Sequence, residues 1–212
     1  MTIRAAVFAS GGGTNFQALL DHQRADGAWR IVLLVCDRED AGAIARAVEA
    51  DVPVAVVRPS GREAAAVARE MLDLLERHRV DLILLAGYVK LIPADVVARY
   101  RRRMLNIHPA LLPSFGGKGM YGKRVHAAVL AAGVTESGAS VHFVDEEYDR
   151  GPVIARRRVP VLAGDTPESL AARVLEVEHL LYPAAVDHVC EALAAGREPA
   201  PLPDPPTREE QA

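Results

Sequence analysis

Cysteine is scarce in this chain of 212 residues, and its two copies, Cys36 and Cys190, stand far apart with no C-x-x-C partner. That excludes a disulfide framework and a zinc site built on cysteine pairs. Long apolar runs are lacking as well, since none approaches the ~18 residues of a membrane span. Met1-Thr2 passes directly into a strand pattern without a basic n-region, an apolar h-region and a cleavage site. A signal peptide is therefore not expected, and the cytoplasm is the expected location. Excess positive charge is missing too: a net charge of −3 and a pI near 6.2 give no support for nucleic acid as the main partner. No internal repeat is evident, and the carboxylates show no metal-binding spacing. What remains is 50% hydrophobic and 25% charged residues, an ordinary composition for one core. One α/β domain over residues 1–196 is expected, followed by a proline-crowded flexible tail over residues 197–212.

Apolar runs alternate with helical periodicities along that domain. Ile3 to Ala9 is a continuous apolar run, the mark of a strand buried on both faces. Runs at Arg30 to Cys36, Val52 to Val57 and Asp81 to Leu85 are separated by helix patterns at Ala41 to Glu49 and Glu63 to Arg79. The alternation predicts a Rossmann-like, mostly parallel twisted sheet flanked by helices, with right-handed crossovers. Gly138 to Val144 and Val153 to Val159, joined by an acidic turn, add antiparallel strands toward the C-terminal part. A last helix starts at Asp165-Thr166-Pro167-Glu168 and runs to about Leu193 with an apolar stripe, Pro183 marking a kink. Ligands of such a sheet gather beyond the strands' carboxyl ends.

The first of those ends is Ser10-Gly11-Gly12-Gly13-Thr14-Asn15. A glycine-rich turn between strand and helix brings backbone N–H groups close to an anion, so a phosphate monoester is the expected ligand. The G-K-[ST] of a nucleotide P-loop is absent, and Phe16 stands where the dinucleotide pattern has its third glycine. Asp37, at the end of the next strand, imitates a ribose-binding acid, although a cap or turn role before the Ala41 helix is the simpler expectation.

Asn106-Ile107-His108-Pro109 is the most informative stretch. Residues two apart on a strand share a face, about 6 to 7 Å apart, so Asn106 and His108 project together while Ile107 turns into the core. Pro109 ends the ladder. An amide donor beside an imidazole at a strand exit suits a developing oxyanion. One of Asp145, Glu146, Glu147 and Asp149 in the acidic turn can fold back on His108, orient it and raise its pKa. Spacing does not choose among the four. His126 and His142 each read equally as site contacts or as ordinary helix and strand residues, and the basic run Arg99 to Arg103 reads as a solvated helix end.

Taken together, these segments resemble the folate-dependent phosphoribosylglycinamide formyltransferase family from about Ile3 to Gly196. The resemblance rests on five motifs in order: Ser10 to Leu19, Leu85 to Lys90, Asn106 to Pro113, Val141 to Pro152, and Glu178-His179. It implies transfer of a formyl group from 10-formyltetrahydrofolate, as co-substrate, to the amine of glycinamide ribonucleotide in de novo purine synthesis, without a metal. It assigns Asn106, His108 and Asp149 to catalysis. Gly13, Thr14, Asn15 and Glu178 are assigned to the ribonucleotide, and Arg62, Val89, Lys90, Leu91, Ile92 and Asn106 to the folate. Lys90 and Arg150 stand where some members carry Arg and Gly. The resemblance implies two small-molecule partners, with no nucleic acid and no membrane; the oligomeric state stays open, a homodimer included. Two other readings are hydrolysis of formyltetrahydrofolate, which in the family goes with an extra N-terminal regulatory domain, and a non-enzymatic nucleotide-binding module.

Overall fold

From residue 3 onward strand and helix alternate as β1 (Ile3–Ala9), α1 (Thr14–His22), β2 (Trp29–Cys36), α2 (Gly42–Glu49), β3 (Val54–Val56), α3 (Ala64–Arg77) and β4 (Leu82–Leu85). They continue as α4 (Ala94–Arg99), β5 (Met104–His108), α5 (Lys123–Ala131), β6 (Glu136–Phe143), β7 (Val153–Pro160) and α6 (Pro167–Ala194). The computed structural model describes residues 2–24 and 27–203. Its strands form one sheet in the order β3-β2-β1-β4-β5-β6-β7. The first five run parallel, and β6 and β7 are added antiparallel, as the sequence predicts.

Alternate residues of β1 pack on opposite faces of the sheet, and both faces are covered. Ala5, Val7 and Ala9 belong to a core with Phe16, Leu19, Tyr182 and Val186, whereas Ala6 and Phe8 pack with Val67, Met71 and Ile83. This double burial is why the strand reads as an unbroken apolar run instead of an alternating one. Among the described residues no helix is long and apolar enough to cross a membrane.

Helix α6 sets the height of the later site. Its start is closed by a capping box in which Thr166 Oγ1 accepts from the Ser169 N–H and Ser169 Oγ accepts from the Thr166 N–H. The helix runs through Pro183 as one element. Tyr182 is fully buried, and its hydroxyl lies 3.1 Å from the Leu85 carbonyl and 3.2 Å from the Leu105 carbonyl, tying α6 to the ends of β4 and β5. Glu178 precedes Tyr182 by one helical turn, so the same face carries its carboxylate over those strand ends.

One expectation is met only in its turn half. Asp37 does not cap α2: the N-cap is Ala41, with no side-chain cap hydrogen bond, and Asp37 Oδ1 is buried without a hydrogen-bond partner among the described residues. The first residues of the expected tail make contacts with the fold. The Arg197 N–H donates to the Ala192 carbonyl at 2.9 Å and the Leu202 N–H to the Ile154 carbonyl at 2.7 Å, with Leu202 packed against the core. Proline-rich composition lowers the entropy lost on ordering as readily as it breaks helices, so a single apolar anchor suffices to hold such a strap. Residues 204–212 of the expected tail lie outside the described residues.

Candidate active site

Between β1 and β4 the strand order reverses direction, which opens a crevice beyond the carboxyl ends of the parallel strands. A cavity of about 710 Å³ lies there. Its wall includes Asn15, Asn106, His108, His142, Asp149 and Glu178, together with the loop Val89, Lys90, Leu91 and Ile92.

The antiparallel register pairs Asn106 of β5 with His142 of β6. The Asn106 amide nitrogen lies 3.0 Å from His142 Nε2, and His142 Nδ1 lies 2.8 Å from the Phe143 carbonyl. A carbonyl can only accept, so Nδ1 carries a proton, while Nε2 meets both the Asn106 amide and, at 3.5 Å, Asp149 Oδ1. The second Asn106 N–H donates to Asp149 Oδ1 at 3.3 Å. Both amide hydrogens are therefore engaged, and the orientation of the amide is set by its partners.

His108 is held in the same manner. Its Nε2 lies 2.9 Å from the Phe115 carbonyl and so carries a proton, which leaves Nδ1 facing Asp149 Oδ2 at 3.5 Å. Asp149 adopts a left-handed backbone (φ 57°) and accepts the Gly117 N–H on Oδ2 at 2.9 Å. Of the four acids in the turn, Asp149 is thus the one that meets His108. The loop after β5, which carries Phe115 and Gly117, is pinned by Ser140, whose hydroxyl donates to the Ala110 carbonyl and accepts the Leu112 N–H.

Electrostatics here correct one expectation. Burial pushes the His108 imidazole below its ordinary pKa; the Asp149 charge and the Phe115 carbonyl oppose this without overcoming it. The carboxylate acts in the expected direction, but desolvation of a ring that is only 3% exposed is the larger effect. The 3.5 Å separation agrees, being longer than the ~2.7–2.9 Å of a charge-assisted hydrogen bond. Asp149 moves oppositely: burial raises it, and its contacts with His142, His108 and the Gly117 N–H outweigh that and hold it below the usual carboxylate range. The ligand-free site thus favours the ionised form of Asp149 and shifts His108 toward its neutral form.

At the other end of the cavity Glu178 Oε2 accepts from Asn15 Nδ2 at 2.7 Å. Burial pushes this carboxyl up to about 7, with the Asn15 hydrogen bond only partly compensating. A folded pKa above the unfolded value of about 4.5 means the native state holds the proton longer. Stability must therefore fall as pH rises from about 4.5 to about 7, by about 3 kcal/mol. Glu178→Gln is expected to remove that loss, making the ligand-free variant more stable than wild type at pH 8 but not at pH 4. Urea unfolding at the two pH values measures this; a pH-independent difference between the proteins would contradict it.

Not every residue singled out in the sequence reaches this cavity. Asn15 lines it, whereas its neighbour Thr14 lines a separate groove with Arg46 and His179, because consecutive helical residues point about 100° apart. Gly13 contributes geometry: its φ is 74°, and a Cβ there would lie 2.7 Å from the Ala43 Cβ. Arg62 lies outside the cavity wall, with Nη1 2.7 Å from Glu70 Oε2. His126 is buried and lines the cavity, its Nδ1 without a hydrogen-bond partner among the described residues. The Phe115 carbonyl and the Gly117 N–H are absent from the sequence reading, since a backbone group in a loop carries no residue signal.

The arrangement, a fixed amide donor, an imidazole and a carboxylate at a strand exit, suits acyl-type transfer through an oxyanion. Comparison with known proteins agrees. The family described as Formyl transferase matches residues 3–186. The chloroplastic phosphoribosylglycinamide formyltransferase of Arabidopsis thaliana is 47% identical over 200 residues, covering 92% of this chain and 68% of that protein. The phosphoribosylglycinamide formyltransferase of Bacillus subtilis (strain 168) is 38% identical over 184 residues, covering 85% of this chain and 91% of the relative. A crystal structure of phosphoribosylglycinamide formyltransferase from Brucella melitensis superposes with a TM-score of 0.82 at 39% identity, covering 90% of this chain and 96% of its own. With the fold, the site and these relatives in agreement, the chain belongs to the formyl transferase family and, within it, to the phosphoribosylglycinamide formyltransferases.

Proposed function

We propose that the protein transfers the formyl group of 10-formyltetrahydrofolate to the primary amine of glycinamide ribonucleotide, giving the formylated ribonucleotide and tetrahydrofolate. The observation that carries this reading is the convergence of Asn106, His108 and Asp149 in one cavity, between a polar end at Asn15 and Glu178 and an apolar ledge at Val89, Leu91 and Ile92. The ledge fits a flat heterocycle: Leu91 and Val89 are 52% and 38% exposed although apolar, and Ile92 is buried beneath them. At the polar end the Glu178 carboxyl suits ribose hydroxyls. The first-turn N–H groups of α1, which have no intrahelical acceptors, suit a phosphate.

When bound, the folate supplies an activated formyl carbonyl. Asn106 offers an N–H to the oxygen on which negative charge develops; the bond to Asp149 at 3.3 Å is the longer of its two and the one to be redirected. In its neutral form His108 can take on Nδ1 the proton that the attacking amine must lose. The imidazolium then forms against the Asp149 carboxylate, which stabilises the charge as it arises. The same ring returns the proton to the departing nitrogen. Glu178 and Asn15 hold the ribonucleotide so that its amine reaches this point.

Mixed with 10-formyltetrahydrofolate, the protein is expected to release tetrahydrofolate, followed by absorbance, only after glycinamide ribonucleotide is added. Release without the ribonucleotide would assign hydrolysis instead, and no release in either mixture would leave a binding module.

A further inference from the structure

A second cavity, of about 480 Å³, opens beyond the ends of β1, β2, β3 and β4. It shares Gly87, Val89 and Lys90 with the catalytic cavity, and is otherwise lined by Ser10, Gly11, Asp37, Arg38, Arg58 and Ser60. Its floor is fixed, since Ser10 donates its N–H to the Gly87 carbonyl at 3.2 Å and accepts the Val89 N–H on Oγ at 3.1 Å.

One polar group of its wall lacks a partner, and a second lies on the adjoining catalytic cavity. Asp37, which the sequence offers as a helix cap, caps nothing, and its Oδ1 is buried with no hydrogen bond among the described residues. The hydroxyl of Tyr88, a residue 8% exposed, is in the same condition. Burial and then the Asp37 charge raise the Tyr88 hydroxyl, so the carboxylate is felt at that ring. A buried carboxylate oxygen without a donor is costly to leave unmet. Around the rim stand three cations. Arg38 is paired with Asp40, and Arg58 with Glu39, all four side chains more than half exposed; Lys90 forms no ion pair among the described residues. Exposed pairs of this kind contribute little, so either guanidinium can exchange its partner for another anion.

We propose that this cavity binds a ribonucleoside 5′-monophosphate, with the ribose hydroxyls donating to Asp37 and the phosphate meeting Arg38, Arg58 and Lys90. Adjacent hydroxyls supply the donors that the orphaned carboxylate oxygen lacks. Their place, between a glycine loop after β1 and an acid after β2, is where an open α/β sheet holds a ribose. A dinucleotide is not accommodated in the same way: Phe16, fully buried, fills the position where a third glycine lets the helix approach a pyrophosphate. A mononucleotide makes no such demand, and the volume suits a ligand of that size.

Isothermal titration of the 212-residue chain with AMP tests the proposal. AMP is expected to bind, 2′-deoxy-AMP to bind about tenfold or more weaker, and Asp37→Asn to weaken AMP about tenfold or more, because each removes a hydrogen bond to a charged group. Arg58→Ala is expected to weaken AMP as well, and Glu178→Gln, which alters the catalytic cavity, to leave it unchanged. Equal affinities for the two nucleotides overturn the proposal without any variant being needed. So does unaltered AMP binding in Asp37→Asn, or a loss confined to Glu178→Gln, which places the nucleotide in the catalytic cavity. Absence of binding at millimolar AMP overturns it too and leaves Asp37 to an ordered water.

Discussion

Replacing His108 by alanine is expected to lower kcat about 10² to 10³-fold or more while leaving KM for both substrates close to wild type. The ring is buried, held through Nε2 by the Phe115 carbonyl and 3.5 Å from Asp149, so its removal takes away a proton carrier without opening the ledge at Leu91 or the polar end at Glu178. Asp149→Asn is expected to fall in the same range for a different reason. The variant keeps acceptor and donor atoms near Asn106 and Gly117 but removes the charge that stabilises an imidazolium. It also has a spectroscopic signature. Without the carboxylate, burial is opposed only by the Phe115 carbonyl, so the ring titrates at lower pH than in wild type. Steady-state kinetics of both variants and NMR titration of the histidine rings measure these effects. Near-normal turnover in either variant would remove that residue from the mechanism, and an unmoved His108 titration in Asp149→Asn would separate the two groups electrostatically.

Gly151→Ala is expected to destabilise the protein by about 3 kcal/mol or more, the upper end of what overpacking costs. That corresponds to a fall in Tm of roughly 6–12 °C for a chain of this size. A Cβ at this position would lie 1.8 Å from the Phe143 carbonyl oxygen and 2.8 Å from its carbon. Neither atom can yield cheaply: the Phe143 N–H donates to the Pro152 carbonyl at 2.9 Å, and His142 Nδ1 donates to that same Phe143 oxygen. The strain therefore falls on the hinge that aims both His142 and, two residues before the glycine, Asp149. Molecules that still fold are expected to lose turnover along with stability. Thermal unfolding and kinetics of one preparation test both statements, and a Tm equal to wild type would show that the turn relaxes without cost.

Much of the fold was legible because it depends on neighbours along the chain. The unbroken apolar run of β1, the glycine loop before α1, and Thr166-Pro167 at the start of α6 each carry their local instruction within a few residues. The common projection of Asn106 and His108 follows equally from the two-residue repeat of a strand. Boundaries were less legible: β3 is only Val54–Val56, where the apolar run is longer, because only those residues find a ladder partner on β2. That Asp37 sits in the turn before α2 without capping it, and that Leu202 packs on the core, were not legible, since capping and packing depend on what lies opposite, which composition does not encode.

By itself the sequence determined the alternation of strand and helix, the glycine loop, and an amide and an imidazole sharing one face at a strand exit. Through its resemblance it also pointed to the family and to Asp149. Only the tertiary structure decided which acid of the turn meets His108, that His142 meets Asn106, that Arg62 lies outside the cavity, and that burial shifts His108 toward its neutral form. These contacts join residues 36 and 43 positions apart in the chain, Asn106 to His142 and to Asp149. Their existence depends on the β5–β6 register, on a left-handed backbone at Asp149 and on a carbonyl and an amide from the loop after β5. The balance of desolvation against charge then follows from how completely that assembly excludes water, a property of the packed whole and of no single segment.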